Sequence, residues 1–453
     1  MLLRRKFLKD TLLAGTGLVL LSSERLAKFA EAMSRYPADT PPERVASDED
    51  FWASVQQAFA VDRSIINFNN GGVCPSPKVV MEALKNYLDY SNLAPSYTMW
   101  RHLQPNIETV REGLARHFGC SPEEIAITRN ASEALETLQL GLSLKAGDEV
   151  ITTVQDYPRM ITTWEQRMRR DGVVLKKVRY PVPLMNPKDF VNAIEEAITP
   201  KTRVIHVSHV VVYTGQILPV HEICRLGKAR GIEVIVDGAH SFAHLPFKQA
   251  DLQCDYFGTS LHKWLYAPIG TGMLYVKKEK IKSVWPLFAA PESMQEDIRK
   301  FEEIGTHPAA IHNAIADAIG FHENLGVERK AARLRYQHKR WIERLRKYDN
   351  VKFRTNINDD SQWCGLINVH VEGTDPNKVQ SYLFEKHRIY TVAILPTPDI
   401  AQAPAKGFSD DFRGIRVTPN VYTRPAEIDC FAEAMEKIAR GDVKAVKLLS
   451  LIH

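Results

Sequence analysis

Helical and strand patterns alternate along the chain between residues 76 and 320. Apolar residues spaced three and four apart, which predict helices, occur in 76–92, 105–119, 130–144 and 220–231. Short apolar runs rich in β-branched residues, which predict strands, occur at 124–128, 148–154, 202–210 and 233–240. Strands that alternate with helices are typical of a mostly parallel, doubly wound sheet. We therefore predict an α/β fold for this part of the chain.

The pattern changes after about residue 320. A long charged helix is predicted over 326–348, and strands follow at 365–371 and 414–418 with helical segments between them. The basic face of the long helix is interpreted as solvated surface, with ion pairs four residues apart. The predicted parts are a leader in 1–32, an N-terminal segment in 33–75, a large domain in 76–320 and a small C-terminal α/β domain in 321–453.

The composition is that of an ordinary globular protein, with 44% of the 453 residues hydrophobic and 25% charged. The formal net charge is only +5, and the basic residues are scattered, so no nucleic-acid partner is expected. The cysteines form no C-x-x-C pair, which argues against a zinc site or a redox pair. We interpret most of them as small core residues, although an oxidising compartment would permit a disulfide.

The first 32 residues differ from the rest of the chain. Arg4 and Arg5 precede Phe7 and Leu8, and residues 11–21 are mostly apolar. This pattern resembles a twin-arginine export signal, with a weakly marked cleavage site at 30–32. The apolar run is about half of the roughly 20 residues that a membrane-spanning helix needs, so no stable span is expected. The sequence predicts export to the periplasm by the twin-arginine machinery.

Ligands of open α/β sheets bind beyond the carboxyl ends of the strands, so the residues that follow predicted strands are candidates for a site. Ala131 and Ser132 open a helix after 124–128, and the free N–H groups of a helix N-terminus favour an anion. Plain helix capping by Asn130 and Ser132 is the commoner role. Asp237 follows four apolar strand residues, where it either caps the next helix or holds a proton on a ring nitrogen.

Two further candidates lie later in the sequence. Ser260 and His262 are able to donate hydrogen bonds to an anion, and Lys263 follows them directly. Burial would keep the amine of Lys263 neutral and therefore nucleophilic, whereas a solvated turn is the simpler interpretation of these residues alone. Arg416 lies inside a predicted strand, where it pairs either with a structural acid or with a substrate carboxylate. Together, an anion cradle, an acid, a lysine and an arginine fit pyridoxal 5'-phosphate and an amino acid.

Three segments, TRNASEAL at 128–135, VDGAH at 236–240 and SLHKW with GTGMLYV at 260–276, resemble a known family. In this order they are similar to the class V aminotransferases of fold type I, and within them to the isopenicillin N epimerase-like branch. The resemblance extends over roughly residues 65–430. It implies a large pyridoxal-phosphate-binding domain, with a mostly parallel sheet of the seven-stranded type between helices, and a smaller C-terminal α/β domain.

The resemblance also implies a role for each candidate residue. Lys263 would form an imine with the cofactor and then move protons, and Asp237 would keep the pyridine nitrogen protonated. Arg416 would fix the substrate carboxylate. Residues implied to contact the cofactor are Ala131, Ser132, Ser260 and His262 at the phosphate, Tyr157 stacked on the ring, and His240 near the phenolic oxygen. Tyr157 also has the simpler interpretation of bracing a loop beside Pro158. Thr306 matches a threonine that reaches the phosphate of a second subunit, which implies a homodimer with shared sites.

The implied activity is chemistry at the α-carbon of an amino acid or a peptide-like substrate, through an external aldimine and a quinonoid intermediate. An aminotransferase or an epimerase is expected, and the predicted export favours tailoring of an exported secondary metabolite. Cysteine desulfurases of this family place a nucleophilic cysteine in a loop of the small domain, but residues 388–407 contain none. The alternatives are a pyridoxal-phosphate-dependent lyase and a catalytically silent protein that binds the cofactor or a metabolite.

Overall fold

The computed structural model describes residues 31–396, apart from 32 and 38, together with residues 407–443. Apart from residue 31, the predicted export signal lies outside the described residues, as does much of the cysteine-free loop at 388–407. Within the described residues, no helix is long and apolar enough to cross a membrane.

The N-terminal segment includes the helices α1 (Pro42–Ala46) and α2 (Glu49–Gln57) and a short strand, β1 (Ile66–Asn67). The large sheet follows with the strands β2 (Ile125–Thr128), β3 (Glu149–Thr153), β4 (Val174–Val178), β5 (Thr202–Ser208), β6 (Glu233–Asp237), β7 (Tyr256–Ser260) and β8 (Gly272–Val276). Their order in space is β2-β8-β7-β6-β5-β3-β4, and β8 runs antiparallel to both of its neighbours, whereas the other pairings are parallel. The predicted α/β fold with a mostly parallel seven-stranded sheet is confirmed.

Helices cover this sheet. They are α3 (Lys78–Leu93), α4 (Pro95–Thr98), α5 (Gln104–Phe118), α6 (Ala131–Gly141), α7 (Pro158–Asp171), α8 (Pro187–Ala197), α9 (Val220–Arg230), α10 (Gln249–Leu252), α11 (Ala309–Asn313) and α12 (Ile315–Leu325). Successive strand residues point to opposite faces, and both faces are buried: Val204 and Tyr256 pack in one apolar cluster, Ile205 and Phe257 in the other. This two-sided burial explains the near-continuous apolar runs that predicted the strands.

A second sheet lies toward the C-terminus. Helix α13 (Val327–Leu345) leads into β9 (Val351–Phe353), β10 (Ile367–Val371), α14 (Pro376–His387), β11 (Ile389–Tyr390), β12 (Val392–Ile394), β13 (Gly414–Val417) and α15 (Pro425–Arg440). The sheet is antiparallel, in the order β12-β13-β10-β9. Trp341 and Phe431 pack against its strands in a separate core. The predicted domain boundary at 320 falls inside α12, and the domain limits stay a prediction.

The N-terminal segment is tied to the small sheet. Strand β1 pairs in parallel with β11, and the N–H of Thr418 donates to the carbonyl of Phe68 at 2.9 Å. This pairing directs residues 69–72 toward the ends of the large-sheet strands.

All six cysteines lie in the described part of the chain and are unpaired there. Four of them are buried, which agrees with their interpretation as core residues: Cys74, Cys224, Cys254 and Cys364.

Candidate active site

A cavity of about 290 Å³ lies beyond the carboxyl ends of β5, β6 and β7. These strands are parallel, and their register aligns Ser208 with Asp237 and Asp237 with Gly258, so their last residues meet at one edge. Nine predicted site residues line the cavity: Ala131, Ser132, Tyr157, Asp237, His240, Ser260, His262, Lys263 and Arg416. Thr306 is exposed and does not line it. Nearly all of the predicted site is therefore brought together within one chain.

One end of the cavity is built for an anion. Helix α6 begins there, capped by Asn130, whose side chain accepts from the N–H of Glu133. The N–H of Ala131 donates to Ser260 Oγ at 2.9 Å, so the end of β7 and the first turn of α6 form one polar cradle. A Cβ on Gly272 of β8 would lie 2.6 Å from the Cα of Asn130, so glycine is required for this close approach. The positive end of a helix dipole, with hydroxyl groups beside it, suits a phosphate.

His262 lies in the same part of the cavity. Its Nδ1 hydrogen-bonds the carbonyl of Thr271 at 3.2 Å. Burial lowers the pKa of His262 to about 4, and the charge of Lys263 adds to the shift. The ring is therefore neutral at physiological pH and acts as a hydrogen-bonding group rather than as a counter-charge.

Asp237 ends β6 and is a buried residue of the cavity lining. Burial raises the pKa of Asp237 to about 6, although the hydrogen bond from the Ala239 N–H at 2.9 Å opposes the shift. A buried carboxylate that is this easily protonated is well suited to share a proton with a basic ring nitrogen, which would return it to the ionised state.

Lys263 follows β7 and is partly exposed to the cavity that it lines. Burial lowers the pKa of Lys263 to about 8, with Asp237 opposing the shift and Arg416 adding to it. Its Nζ lies 3.3 Å from Nε2 of His240, and burial holds the pKa of His240 well below its usual value. The imidazole is therefore neutral and accepts a hydrogen bond from Nζ without adding charge, while burial of Lys263 raises the fraction of nucleophilic amine near neutral pH.

The turn that carries Lys263 is contacted on the side away from the cavity lining by another lysine, the buried Lys330 of α13. Its Nζ donates to the carbonyl of Trp264 at 2.6 Å and lies 2.9 Å from Nδ1 of His322. It also lies 4.7 Å from the ring centre of Tyr266, whose φ of 65° is in the left-handed region that strains a non-glycine residue. These contacts stabilise a strained turn directly after the candidate nucleophile.

The burial of Lys330 predicts that the free energy of unfolding depends on pH. Burial lowers the pKa of Lys330 from 10.5 to about 7, so between these values the unfolded chain holds a proton that the folded chain lacks. The free energy of unfolding therefore rises with pH in this window, by up to about 1.4 kcal/mol per pH unit from this group. We expect urea unfolding of cofactor-loaded Lys330→Met to lack this increment, and of Lys282→Met, at an exposed position, to retain it. Parallel pH profiles for wild type and Lys330→Met would contradict the prediction.

Arg416 of β13 brings an unpaired positive charge into the cavity. Its Nη1 donates to the carbonyl of Val212 at 3.1 Å and its Nη2 to Oδ1 of Asn69 at 2.8 Å. Among the described residues no carboxylate lies within 4.0 Å of the guanidinium, and its buried Nε lacks a hydrogen-bond partner. Burial lowers the pKa of Arg416 to about 10. A buried, charged guanidinium held only by neutral acceptors is suited to an incoming carboxylate.

Tyr157 lies at the start of α7 with its side chain exposed, so its ring is available to a ligand in the cavity. The preceding Asp156 anchors this loop: Oδ1 accepts from the N–H of Ser208 at 2.8 Å, and Oδ2 accepts from the N–H of Thr153 at 2.8 Å. The loop is thereby fixed to the ends of β3 and β5, which favours a defined position for Tyr157.

The cavity lining also contains residues that were not predicted. Ser208 ends β5 and lines the cavity. It lies at the carboxyl end of a strand, as Asp237 does, so its position in the sequence was a usable signal. Gly71 and Gly72 also line the cavity, beside Asn69. Their signal was only the paired glycines in the sequence NNGG, in a segment without periodic pattern.

These residues fit pyridoxal 5'-phosphate. The α6 cradle with Ser260 would hold its phosphate, Asp237 its pyridine nitrogen and Lys263 its aldehyde carbon. When bound, the cofactor supplies an electron sink for an amino acid whose amine it carries. The chain itself contributes the neutral amine of Lys263 and the positive charge of Arg416.

Comparison with known proteins agrees with this site. The family described as Aminotransferase class-V matches residues 66–393, more than half of the chain. Isopenicillin N epimerase of Streptomyces clavuligerus is 28% identical over 408 residues, which are 85% of this chain and 98% of the relative. A probable cysteine desulfurase of Synechocystis sp. is 30% identical over 300 residues, 61% of this chain and 70% of the relative.

Solved structures share the fold. The apo cysteine desulfurase from Thermococcus onnurineus NA1 has a TM-score of 0.73 at 24% identity, covering 87% of this chain and 98% of that one. A C-DES mutant with glycine covalently linked to its PLP cofactor has a TM-score of 0.71 at 23% identity, covering 83% of this chain and 98% of that one. The chain therefore belongs to the class V aminotransferase family, and its cofactor is pyridoxal 5'-phosphate.

Proposed function

We propose that this enzyme removes the proton from the α-carbon of an amino acid or a peptide-like substrate, and that it is an aminotransferase or an epimerase. The observation that carries the proposal is the unpaired guanidinium of Arg416 in the same cavity as Lys263 and Asp237. An α-carboxylate bound to Arg416 would leave the α-amine free for the cofactor, and Lys263 would then be the base at the α-carbon.

The relatives support this proposal over persulfide chemistry. Two isopenicillin N epimerases match over 98% and 99% of their own length. Cysteine desulfurases are also similar, but the cysteine expected in the loop at 388–407 is absent from the sequence. An epimerase would return a proton to the opposite face of the α-carbon, whereas an aminotransferase would deliver it to a carbon of the cofactor. Both reactions begin with removal of the α-proton.

The proposal is tested by incubating the holoenzyme in D₂O with L- and D-amino acids and with peptides that carry a free amino-acid terminus. Exchange of the α-hydrogen for deuterium, absent with Lys263→Ala, supports chemistry at this carbon. Chiral analysis of the same samples detects epimerisation, and keto-acid assays with and without added keto acid detect transamination. Loss of a β-substituent without retention of the amino acid would support a lyase instead. Cofactor binding without exchange of any substrate in the panel would favour the silent binding protein.

We further propose that the protein is exported by the twin-arginine route and acts on an exported metabolite or peptide. Arg4 and Arg5 in front of the apolar run support this location. Cell fractionation of the full chain is expected to place the shortened, mature protein in the periplasm, while a chain with Arg4→Lys and Arg5→Lys stays in the cytoplasm. Periplasmic recovery of the double variant in equal amount would contradict the proposal.

A homodimer with shared sites is also proposed. Thr306 is exposed on the single chain, and the segment before it exposes apolar side chains at Trp285 and Phe288, with Ile269 exposed as well. Such exposure of large apolar side chains is typical of an interface.

We expect sedimentation equilibrium to show a dimer and Thr306→Ala to weaken cofactor binding about tenfold through loss of one phosphate contact. Ser283→Ala is the matched control, because Ser283 is also exposed and lies at the end of the short helical segment Lys278–Ser283. A monomer with full cofactor affinity would contradict the proposal.

A further inference from the structure

The N-terminal segment at residues 67–72 follows a fixed path that leads to the cavity, which Gly71 and Gly72 line. Phe68 donates its N–H to the carbonyl of Tyr390 at 2.9 Å, and the side-chain amide of Asn70 donates to the carbonyl of Thr418 at 2.8 Å. The N–H of Asn69 donates to the side-chain carbonyl of Asn67 at 2.9 Å. Main-chain and side-chain bonds on both sides therefore determine where the side chain of Asn69 lies.

The side chain of Asn69 forms a hydrogen bond with Arg416. Its Oδ1 accepts from Nη2 at 2.8 Å, and the carbonyl of Val212 accepts from Nη1 at 3.1 Å. Both acceptors are neutral, so they orient the planar guanidinium without cancelling its charge. The other buried arginines of the described chain are each paired with a carboxylate: Arg111 with Glu302, Arg167 with Asp171 and Arg333 with Glu49. Arg416 differs from these structural arginines in having an amide where they have an acid.

We propose that Asn69 is a specificity-determining residue, which positions Arg416 through a neutral amide and so keeps its charge for a substrate carboxylate. The inference rests on the proposed function, because it takes Arg416 as the carboxylate-binding group. An aspartate at position 69 would form an internal ion pair with the guanidinium, and a substrate carboxylate would then have to displace it against like-charge repulsion. An alanine would remove the orienting contact and leave the charge available.

Two small probes test this without knowledge of the substrate. Aminooxyacetate and O-methylhydroxylamine both replace the lysine on the cofactor: the C=N bond to Nζ breaks, a C=N bond to the probe's nitrogen forms, and Lys263 leaves as the free amine. This exchange of amines is redox-neutral and requires no oxidant or reductant. Only aminooxyacetate carries a carboxylate, so the ratio of the two second-order rate constants reports carboxylate recognition. The change in visible absorbance follows both reactions in the holoenzyme.

The wild type is expected to prefer aminooxyacetate by at least about tenfold. Asn69→Asp is expected to abolish most of this preference while changing the rate with O-methylhydroxylamine by less than about twofold. Asn69→Ala is expected to show a preference for aminooxyacetate between those of the wild type and Asn69→Asp. It also provides the test if the aspartate variant does not retain cofactor. Asn377→Asp, the same change on the exposed first turn of α14, is expected to match the wild type.

Each outcome has a separate meaning. If Arg416→Gln loses the preference but both Asn69 variants keep it, the inference about Asn69 is wrong and the proposed carboxylate site stands. If the wild type shows no preference and Arg416→Gln changes nothing, the carboxylate site itself is wrong. If Asn69→Asp slows both probes equally, Asn69 has a structural role only, which also overturns the inference.

Discussion

Lys263→Ala is expected to lose the visible absorbance of the lysine-bound cofactor and to lower turnover by a factor on the order of 10⁴ or more. The physical reason is that no other amine lines the cavity in the described part of the chain. The methyl group of alanine neither bonds to the cofactor nor abstracts a proton. Absorbance spectra and single-turnover kinetics of the purified holoenzyme measure both effects.

The α6 cradle and Ser260 are unchanged in this variant, so the cofactor is expected to bind without a covalent bond and to dissociate on dialysis. Lys282→Ala, which removes an exposed lysine paired with Glu296, provides the control and should resemble the wild type. A visible band of wild-type position and intensity in Lys263→Ala would contradict the assignment of this residue.

Asp237→Asn is expected to lower kcat/KM by a factor on the order of 10²–10⁴ while leaving the fold intact. Asparagine has nearly the same shape but no charge with which to hold a proton on the pyridine nitrogen, so the ring withdraws electrons less strongly. The hydrogen bond from the Ala239 N–H is retained by the amide oxygen, which limits the structural effect. Kinetics on a substrate identified by deuterium exchange, together with the position of the absorbance band, measure the change.

Asp255→Asn is the matched control for this prediction. Asp255 immediately precedes β7 and accepts from the N–H of Val234, away from the carboxyl ends that form the cavity. This variant is expected to keep wild-type kcat/KM. If Asp237→Asn retained full activity, or if both variants lost it equally, the carboxylate would have no specific role at the cofactor.

The periodic part of the fold was predictable because its signals are local. Residues 202–210 and 233–240 gave β5 and β6, and the carboxyl-end rule then selected Asp237. The direction of β8 had no such local signal, since an apolar run reads the same for either direction. Its antiparallel pairing follows from the short connection to β7 through the turn that carries Lys263.

Residues fixed by distant contacts were not predictable. Asn69 reaches Arg416 only because β1 adds to β11, a pairing across more than 300 residues of sequence. Lys330 was included in the basic face that the sequence analysis interpreted as solvated, and that interpretation is wrong for this residue, which is fully buried. Its four-residue spacing to Leu334, also buried, was the available signal.

The central claim, that the cofactor is held by Lys263, is tested most directly by reducing the cofactor-loaded protein with borohydride. Reduction converts the C=N bond into a stable C–N bond, and peptide mass spectrometry then locates the pyridoxyl group. A single adduct on the peptide that contains Lys263 is the expected result. An adduct on Lys330 or another lysine, or no adduct on a protein that retains its visible band, would contradict the claim.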